Sequence, residues 1–322
     1  MGRPPAARLC HVREEARIET SAPGKLFLFG EYAVLEGHPA LLAAVDRRVR
    51  VSAEPSEAWQ IESALFATTD SLSLDGPASR VAAGILAAHD LGASTQPHRV
   101  RVDSRLLFDG PRKLGFGSSA AVVVAVAGAI LGRSDPQLFA ACRRRHNEAQ
   151  KTEGSGGDIA ASLMGGITWL RAGPKLGTLP WQPPIAIITH PTSASTPRFV
   201  SQVKELKASS PQTYLSHLAT LGDITESAFA AVAAQNVTAF IACVRAADAA
   251  LEAFGAAAHT PIITAFHREL RQYGAVKPAG AGGGDLSLLA SDDLDGAIAA
   301  MRRDGIVCEA LKTSSGLTIY CH

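Results

Sequence analysis

Lys25, Ser118, Ser119 and Asp158 are the side chains whose types and settings could do chemistry, and each stands within two residues of a glycine. In KLGFGSSAAVVVA (residues 113–125), Gly115 and Gly117 precede two hydroxyls and an apolar run. Glycine allows positive φ and close backbone approach. The first amides of a helix lack internal partners and sit at the positive end of its dipole, so such a place receives phosphate. One serine hydroxyl could cap the helix and the other could offer an oxygen to Mg²⁺. The spacing is neither a Walker A loop nor a dinucleotide fingerprint. A tight strand-to-helix turn with a serine cap accounts for the same residues, and locally both readings stand.

Three further stretches share this character. In SAPGKLFLFGEYAVLEG (residues 21–37), Pro23-Gly24 predicts a turn and Lys25 opens an apolar strand. That lysine is either a solvated strand end or a fixed cation near a phosphate. Glu31 and Tyr32 interrupt the apolar run, which costs burial unless they act specifically. In EGSGGDIAASLMGG (residues 153–166), Asp158 follows a glycine turn and is either an N-cap or a carboxylate aimed at a ligand. KPAGAGGGDL (residues 277–286) has four glycines in five positions and suits neither helix nor strand by propensity. The burial-seeking LSLLA directly after it argues for backbone contact with a ligand rather than for a linker.

The elements that must position these stations are mixed. RIETSAP, KLFLFGEYAV and RRVRVSAE read as strands, residues 77–90 as a helix and HRVRVDSRL as a strand. A helix follows from Ser118 to about Leu131, and another from Asp135-Pro136 through QLFAACRRRHNEAQK. ITWLRA and IAIITH read as strands, then Ala-rich helices run from about 198 to 273, and the end reads strand–turn–helix–strand. Helices and strands that do not strictly alternate predict an α+β fold. The Gly- and Pro-rich stretch 173–184 is the expected boundary, giving a polar tail (1–16), a first domain (17–178) and a second (179–322).

The 322 residues carry a formal net charge of +1, so no global field draws the chain to nucleic acid or anionic membrane. No stretch reaches the roughly 20 apolar residues of a membrane span. The five cysteines lack C-x-x-C spacing, which predicts free thiols in a reducing cytoplasm rather than disulfides or zinc. A small-molecule substrate and a monomer or homodimer are the expected partnership.

Together the four stations, in this order, resemble the motifs of the GHMP kinase superfamily over nearly the whole chain. Details look most like its phosphomevalonate kinase branch. GEYAVLEGHPAL followed by Asp46-Arg47-Arg48 is similar to that branch's first motif, and mevalonate kinases more often carry histidine where Tyr32 stands. Lys113 before L-G-F-G-S-S-A, the segment HNEAQKTEGSGGDIAAS (146–162) and PTSASTPRFV (191–200) resemble the same branch. Phe116 and Phe199 depart from the aliphatic residues usual there.

The resemblance implies a two-domain fold, an N-terminal domain like domain 2 of ribosomal protein S5 and a ferredoxin-like C-terminal domain. It implies ATP and Mg²⁺ as cofactors, with Lys25 and Asp158 catalytic. Lys113, Gly115, Gly117, Ser118, Ser119 and Ala120 would hold ATP. Ser119 and Glu148 would meet the metal, with Glu153 an alternative to Glu148. Arg48, Ser155, Ser195, Thr196, Lys277, Gly280, Gly282, Gly283 and Asp285 would bind the acceptor, with Arg47, Lys151 and Arg198 as further cations. The implied reaction is phosphoryl transfer from ATP to phosphomevalonate, with mevalonate as the sister acceptor and a non-catalytic metabolite sensor as the distant alternative.

Overall fold

The computed structural model describes residues 17–173, 175–191 and 196–321. Its frame is two long strands, β1 (Ile18–Phe29) and β2 (Ala40–Pro55), paired antiparallel along most of their length. Pro23-Gly24 does not turn the chain, contrary to the sequence reading. β1 runs straight through, with a register shift between Pro23 and Gly24 that accommodates a proline lacking an N–H. The first sheet continues through β3 (Gln60–Ser63), β4 (Phe66–Thr69) and β5 (His98–Asp103), in the order β1-β2-β5-β3-β4.

Helix α1 (Ser79–His89) is followed by a small hairpin, β6 (Phe108–Asp109) and β7 (Arg112–Lys113). Next come α2 (Ser118–Leu131), α3 (Leu138–Gln150) and α4 (Gly157–Met164). Every residue of α2 from Ala120 to Ile130 is buried, because a helix apolar on all sides must lie inside the layers. It packs against α1, α3, α4, β1 and β2. α3 starts three residues after its expected cap: Asp135 instead accepts the Gln137 N–H in a local turn. β8 (Ile167–Arg171) returns to pair with β2, and β9 (Lys175–Leu179) pairs with β8.

A second sheet holds β10 (Ile185–Thr189), β11 (Ala275–Pro278), β12 (Leu286–Ala290) and β13 (Cys308–Ala310). Between β10 and β11 run α5 (Thr196–Ser209), α6 (Pro211–Ala233), α7 (Val237–Ala257) and the short α8 (Ala265–Leu270). α9 (Leu294–Arg303) joins β12 to β13. The order β11-β12-β10-β13, all antiparallel, is that of a split, ferredoxin-like βαββαβ unit. One apolar cluster runs from Leu26, Leu41 and Val123 of the first layer to Ile187 and Leu288 of the second. No helix among the described residues is long and apolar enough to cross a membrane. Cys142, Cys243 and Cys308 are buried free thiols.

The expected second domain does not keep its last strand. β14 (Thr318–Cys321) crosses back to pair antiparallel with β1, extending the first sheet at its edge. Arg48 fastens this crossing. Its Nε donates to Ser21 Oγ (2.9 Å), Nη1 to Ser314 Oγ and the Ser315 carbonyl (both 2.6 Å), and Nη2 to the carbonyls of Ser21 and Gly316 (both 2.8 Å). A guanidinium whose nitrogens are all committed to protein oxygens has little to offer an acceptor phosphate, so Arg48 is corrected from ligand contact to structural clamp. Arg47 and Lys151 are likewise engaged at the surface, with Glu309 (2.7 Å) and Asp75 (2.8 Å).

Replacing Arg48 with alanine should lower stability by about 2 kcal/mol or more, since several bonds to a charged group are lost. Urea unfolding measures this. Unchanged stability with weakened substrate binding would restore the ligand role.

Candidate active site

The site is built on one backbone contact. The Lys25 N–H leaves the sheet ladder and donates to the Phe116 carbonyl at 2.7 Å, tying β1 to the glycine loop ahead of α2. Gly24 makes the approach possible, because a Cβ there would stand 2.6 Å from that carbonyl. The Lys25 side chain then lies along Gly117, whose φ is +72°. A Cβ on Gly117 would come within 3.0 Å of both Cγ and Cε of the lysine. Lys25 is half-buried, with Nζ 5.3 Å from the Phe27 ring centroid. Burial lowers its pKa, and the charges of Asp158, Glu31 and Asp285 partly raise it again. These four groups, from three separate glycine-rich stations, therefore share one electrostatic locus.

Asp158 lies inside the first turn of α4, where the helix dipole favours a carboxylate. The cap position belongs to Gly156 (φ +83°), so the N-cap alternative for Asp158 does not hold. Its Oδ1 accepts the Ile159 N–H at 2.9 Å. The same occurs at α2: Gly117, in the left-handed region, is the N-cap, and Ser118 is the first helical residue without a side-chain cap bond. Ser118 is half-buried and its hydroxyl bonds none of the described residues. Ala120 is buried, and Lys113 is exposed on β7 two residues before Gly115.

Ser119 is already engaged. Its Oγ accepts from Arg80 Nε (2.6 Å) and Gln150 Nε2 (3.2 Å) and lies 2.8 Å from His146 Nε2. Burial lowers the pKa of His146, with Asp158 raising it and Arg80 lowering it further. Gln150 Nε2 also lies 2.5 Å from His146 Nε2, so Ser119, Gln150 and His146 form one hydrogen-bonded cluster. A hydroxyl pressed against a guanidinium is a poor oxygen for a divalent cation, so the expected metal contact is corrected here. Glu148 is corrected too: it is exposed on α3 and paired with Arg145 at 2.9 Å. Ser118, Asp158 and Asp285 are the hard oxygen donors that these stations could offer a divalent cation. Among the described residues no three His, Cys, Asp or Glu side chains cluster to hold a metal.

The third glycine run reaches this locus at Asp285, itself in the left-handed region (φ +57°); a Cβ on Gly115 would sit 3.2 Å from Asp285 Cβ. Gly280 faces open space. Gly282 and Gly283 do not: their absent side chains would collide with Ile262 and Phe199, and the Gly283 N–H donates to the Ile262 carbonyl (2.8 Å). Those two are packing positions, not acceptor contacts. Lys277 is corrected for the same reason. It is fully buried, with Nζ donating to Glu31 Oε1 (2.5 Å) and the Pro278 carbonyl (2.6 Å) and lying 5.6 Å from the Phe29 ring. Tyr32, in the left-handed region, donates its hydroxyl proton to the Ala281 carbonyl and packs edge-on against Phe254.

Ser155 Oγ accepts the Gly157 N–H (3.2 Å) and lines a cavity of about 390 Å³ with His38, Arg143 and Arg171. Ser195 lies outside the described residues, as do the side chains of Thr196 and Arg198. Sequence reasoning missed Arg80. The available signal was a single arginine at the start of an otherwise apolar helix, PASRVAAGILAAHD.

Residues 78–166 match the family model described as GHMP kinases N terminal domain. Over 340 residues, spanning 85% of this chain and 90% of the relative, the sequence is 29% identical to a phosphomevalonate kinase of Streptomyces sp.. It is 30% identical over 281 residues to a mevalonate kinase of Methanothermobacter thermautotrophicus, covering 83% of this chain and 88% of that one. The fold matches Streptococcus pneumoniae phosphomevalonate kinase in complex with phosphomevalonate and AMPPNP. That match has a TM-score of 0.76 and 21% identity, over 92% of this chain and 99% of the other.

Lys277→Met should destabilise the protein by about 3–5 kcal/mol, because Glu31 is left charged and unpaired in the interior. The double variant Glu31→Gln/Lys277→Met should recover most of the loss. Denaturant unfolding of the three variants checks this, and wild-type stability in Lys277→Met would contradict it.

Proposed function

The chain belongs to the GHMP kinase family of small-molecule kinases, and we propose that it transfers the γ-phosphoryl group of ATP to phosphomevalonate, giving diphosphomevalonate and ADP. The observation that carries this reading is the convergence of Lys25 and Asp158 beside the unpartnered amides at the start of α2. Phosphoryl transfer asks for positioning and charge neutralisation rather than covalent chemistry by the protein. The α2 amides, behind Gly115 and Gly117, would cradle the triphosphate. Lys25 would neutralise charge on the transferring group and hold the attacking oxygen in line.

In the transfer, an acceptor phosphate oxygen forms a bond to the γ-phosphorus as the bond to the β–γ bridging oxygen breaks, and ADP leaves with that electron pair. A phosphomonoester with a second pKa near ~6 is already largely ionised at neutral pH, so no proton need be removed. Asp158 then orients rather than deprotonates. Ser118 and the nearby carboxylates would hold Mg²⁺, which would supply positive charge to offset that of the phosphates.

Phosphomevalonate as acceptor is supported by the Streptomyces relative and by the motif details at Tyr32 and Lys113. Mevalonate is the second reading, supported by the Methanothermobacter relative and by a carboxylate at Asp158 that could take an alcohol proton.

A coupled ADP-release assay with phosphomevalonate, mevalonate, galactose and homoserine should give turnover with the first alone. Lys25→Ala should lose on the order of 10³-fold in kcat, and Asp158→Asn clearly less. The reverse order, or preference for mevalonate, would overturn the acceptor assignment. The pH profile of kcat/KM should rise through about 6 as the acceptor phosphate ionises. It should fall on the alkaline side below the ordinary lysine value, because burial lowers the Lys25 pKa and only the protonated amine neutralises phosphate.

A further inference from the structure

Arg80, the second residue of α1, is a cation with unfinished business. Nε donates to Ser119 Oγ (2.6 Å) and Nη1 to Ser79 Oγ (3.1 Å) and the Ala149 carbonyl (2.8 Å). Nη2 bonds none of the described residues, and no described carboxylate pairs with the guanidinium. Burial lowers its pKa and no acidic neighbour offsets the shift. Arg48 makes the contrast. It too lacks a carboxylate, but every nitrogen of its fork meets a protein oxygen. Arg145, Arg101 and Arg271 are all ion-paired. A half-buried charge without a counter-ion is costly to maintain unless an anion completes it, and a guanidinium fork matches phosphate geometry. Its anchor, Ser119, lies in the first turn of α2, where backbone amides already favour phosphate.

Resting on the kinase reading above, we propose that Arg80 is a nucleotide-phosphate ligand: a guanidinium supplied from α1 whose Nη2 contacts the triphosphate at the start of α2, with Ser119 as its anchor rather than as a metal ligand. Ser119 Oγ accepts from Arg80 Nε, so its removal should loosen the arginine without altering the demand for Mg²⁺.

Calorimetric binding of ATP and of AMP, measured without acceptor, tests this on wild type, Arg80→Ala, Arg80→Lys and Ser119→Ala, with thermal melting of each as the folding control. Arg80→Ala should weaken ATP at least tenfold while AMP changes less than twofold. Arg80→Lys should fall between, keeping charge but losing the fork. Ser119→Ala should weaken ATP modestly with an unchanged Mg²⁺ titration of activity. Equal weakening of ATP and AMP would mark a structural role and overturn the proposal, as would unchanged ATP binding in Arg80→Ala. Turnover of mevalonate instead of phosphomevalonate would sink the acceptor assignment alone, whereas wild type that binds no ATP would sink both.

Discussion

The hydrogen bond from the Lys25 N–H to the Phe116 carbonyl is the constraint on which the site depends. A strand N–H normally serves its ladder; here, just after the register shift between Pro23 and Gly24, it serves the glycine loop instead. Gly24 lets the two backbones meet, and Gly117 lets the lysine stem lie flat across the loop. Geometry this close orients the lysine stem, and among the described residues the ammonium makes no short ion pair, which leaves its charge available to a ligand. A lysine fixed instead by a short ion pair would be organised equally well but already neutralised.

Lys277 shows that other case inside the same molecule. Its ammonium is fully buried, and the desolvation penalty is offset by Glu31, a backbone carbonyl and the face of Phe29. Glu31 also faces Lys25, so the pair adjusts the field at the site while joining β11 to the chain just beyond β1. Two lysines near one glutamate thus divide the work, one holding the layers together and the other open to chemistry.

The glycine stations were legible in the sequence because what they encode is local: a backbone that must bend or approach needs glycine at that residue. Lys25 and Asp158 could be picked out as candidates for the same reason, each directly following glycine. Arg48 and Lys277 could not be read correctly, because their partners lie hundreds of residues away. Arg48 bonds Ser314 and Gly316, and Lys277 bonds Glu31, contacts that only the topology creates. The return of β14 to β1 was hidden likewise, since TIYC reads as a strand without saying which sheet it joins. The caps failed for a different reason. Serine and aspartate are strong N-caps by propensity, yet at α2 and α4 the chain enters the helix through positive φ, which only glycine takes without strain. The side chains that might have capped are thereby moved one or two positions into the helix.

Asp285 raises a further physical problem, since it follows four glycines and its position cannot be fixed by the loop that carries it. It is fixed from the strand side. The His190 N–H donates to the Asp285 carbonyl (2.9 Å), and His190 Nε2 and His267 Nδ1 both lie 2.8 Å from Ser287 Oγ. His267 Nε2 is 2.8 Å from Asp248 Oδ1, and Arg271 holds the other oxygen of that carboxylate at 2.7 Å. An acceptor as strong as Asp248 keeps the His267 proton on Nε2. Burial, His267 and Arg112 push the His190 pKa down to about 4, so that ring stays neutral at physiological pH. Each polar group in this chain has a partner, which makes a buried network rigid rather than costly. The aspartate is therefore placed by β12 and its polar support, while Gly282 and Gly283 before it are held by packing against Ile262 and Phe199.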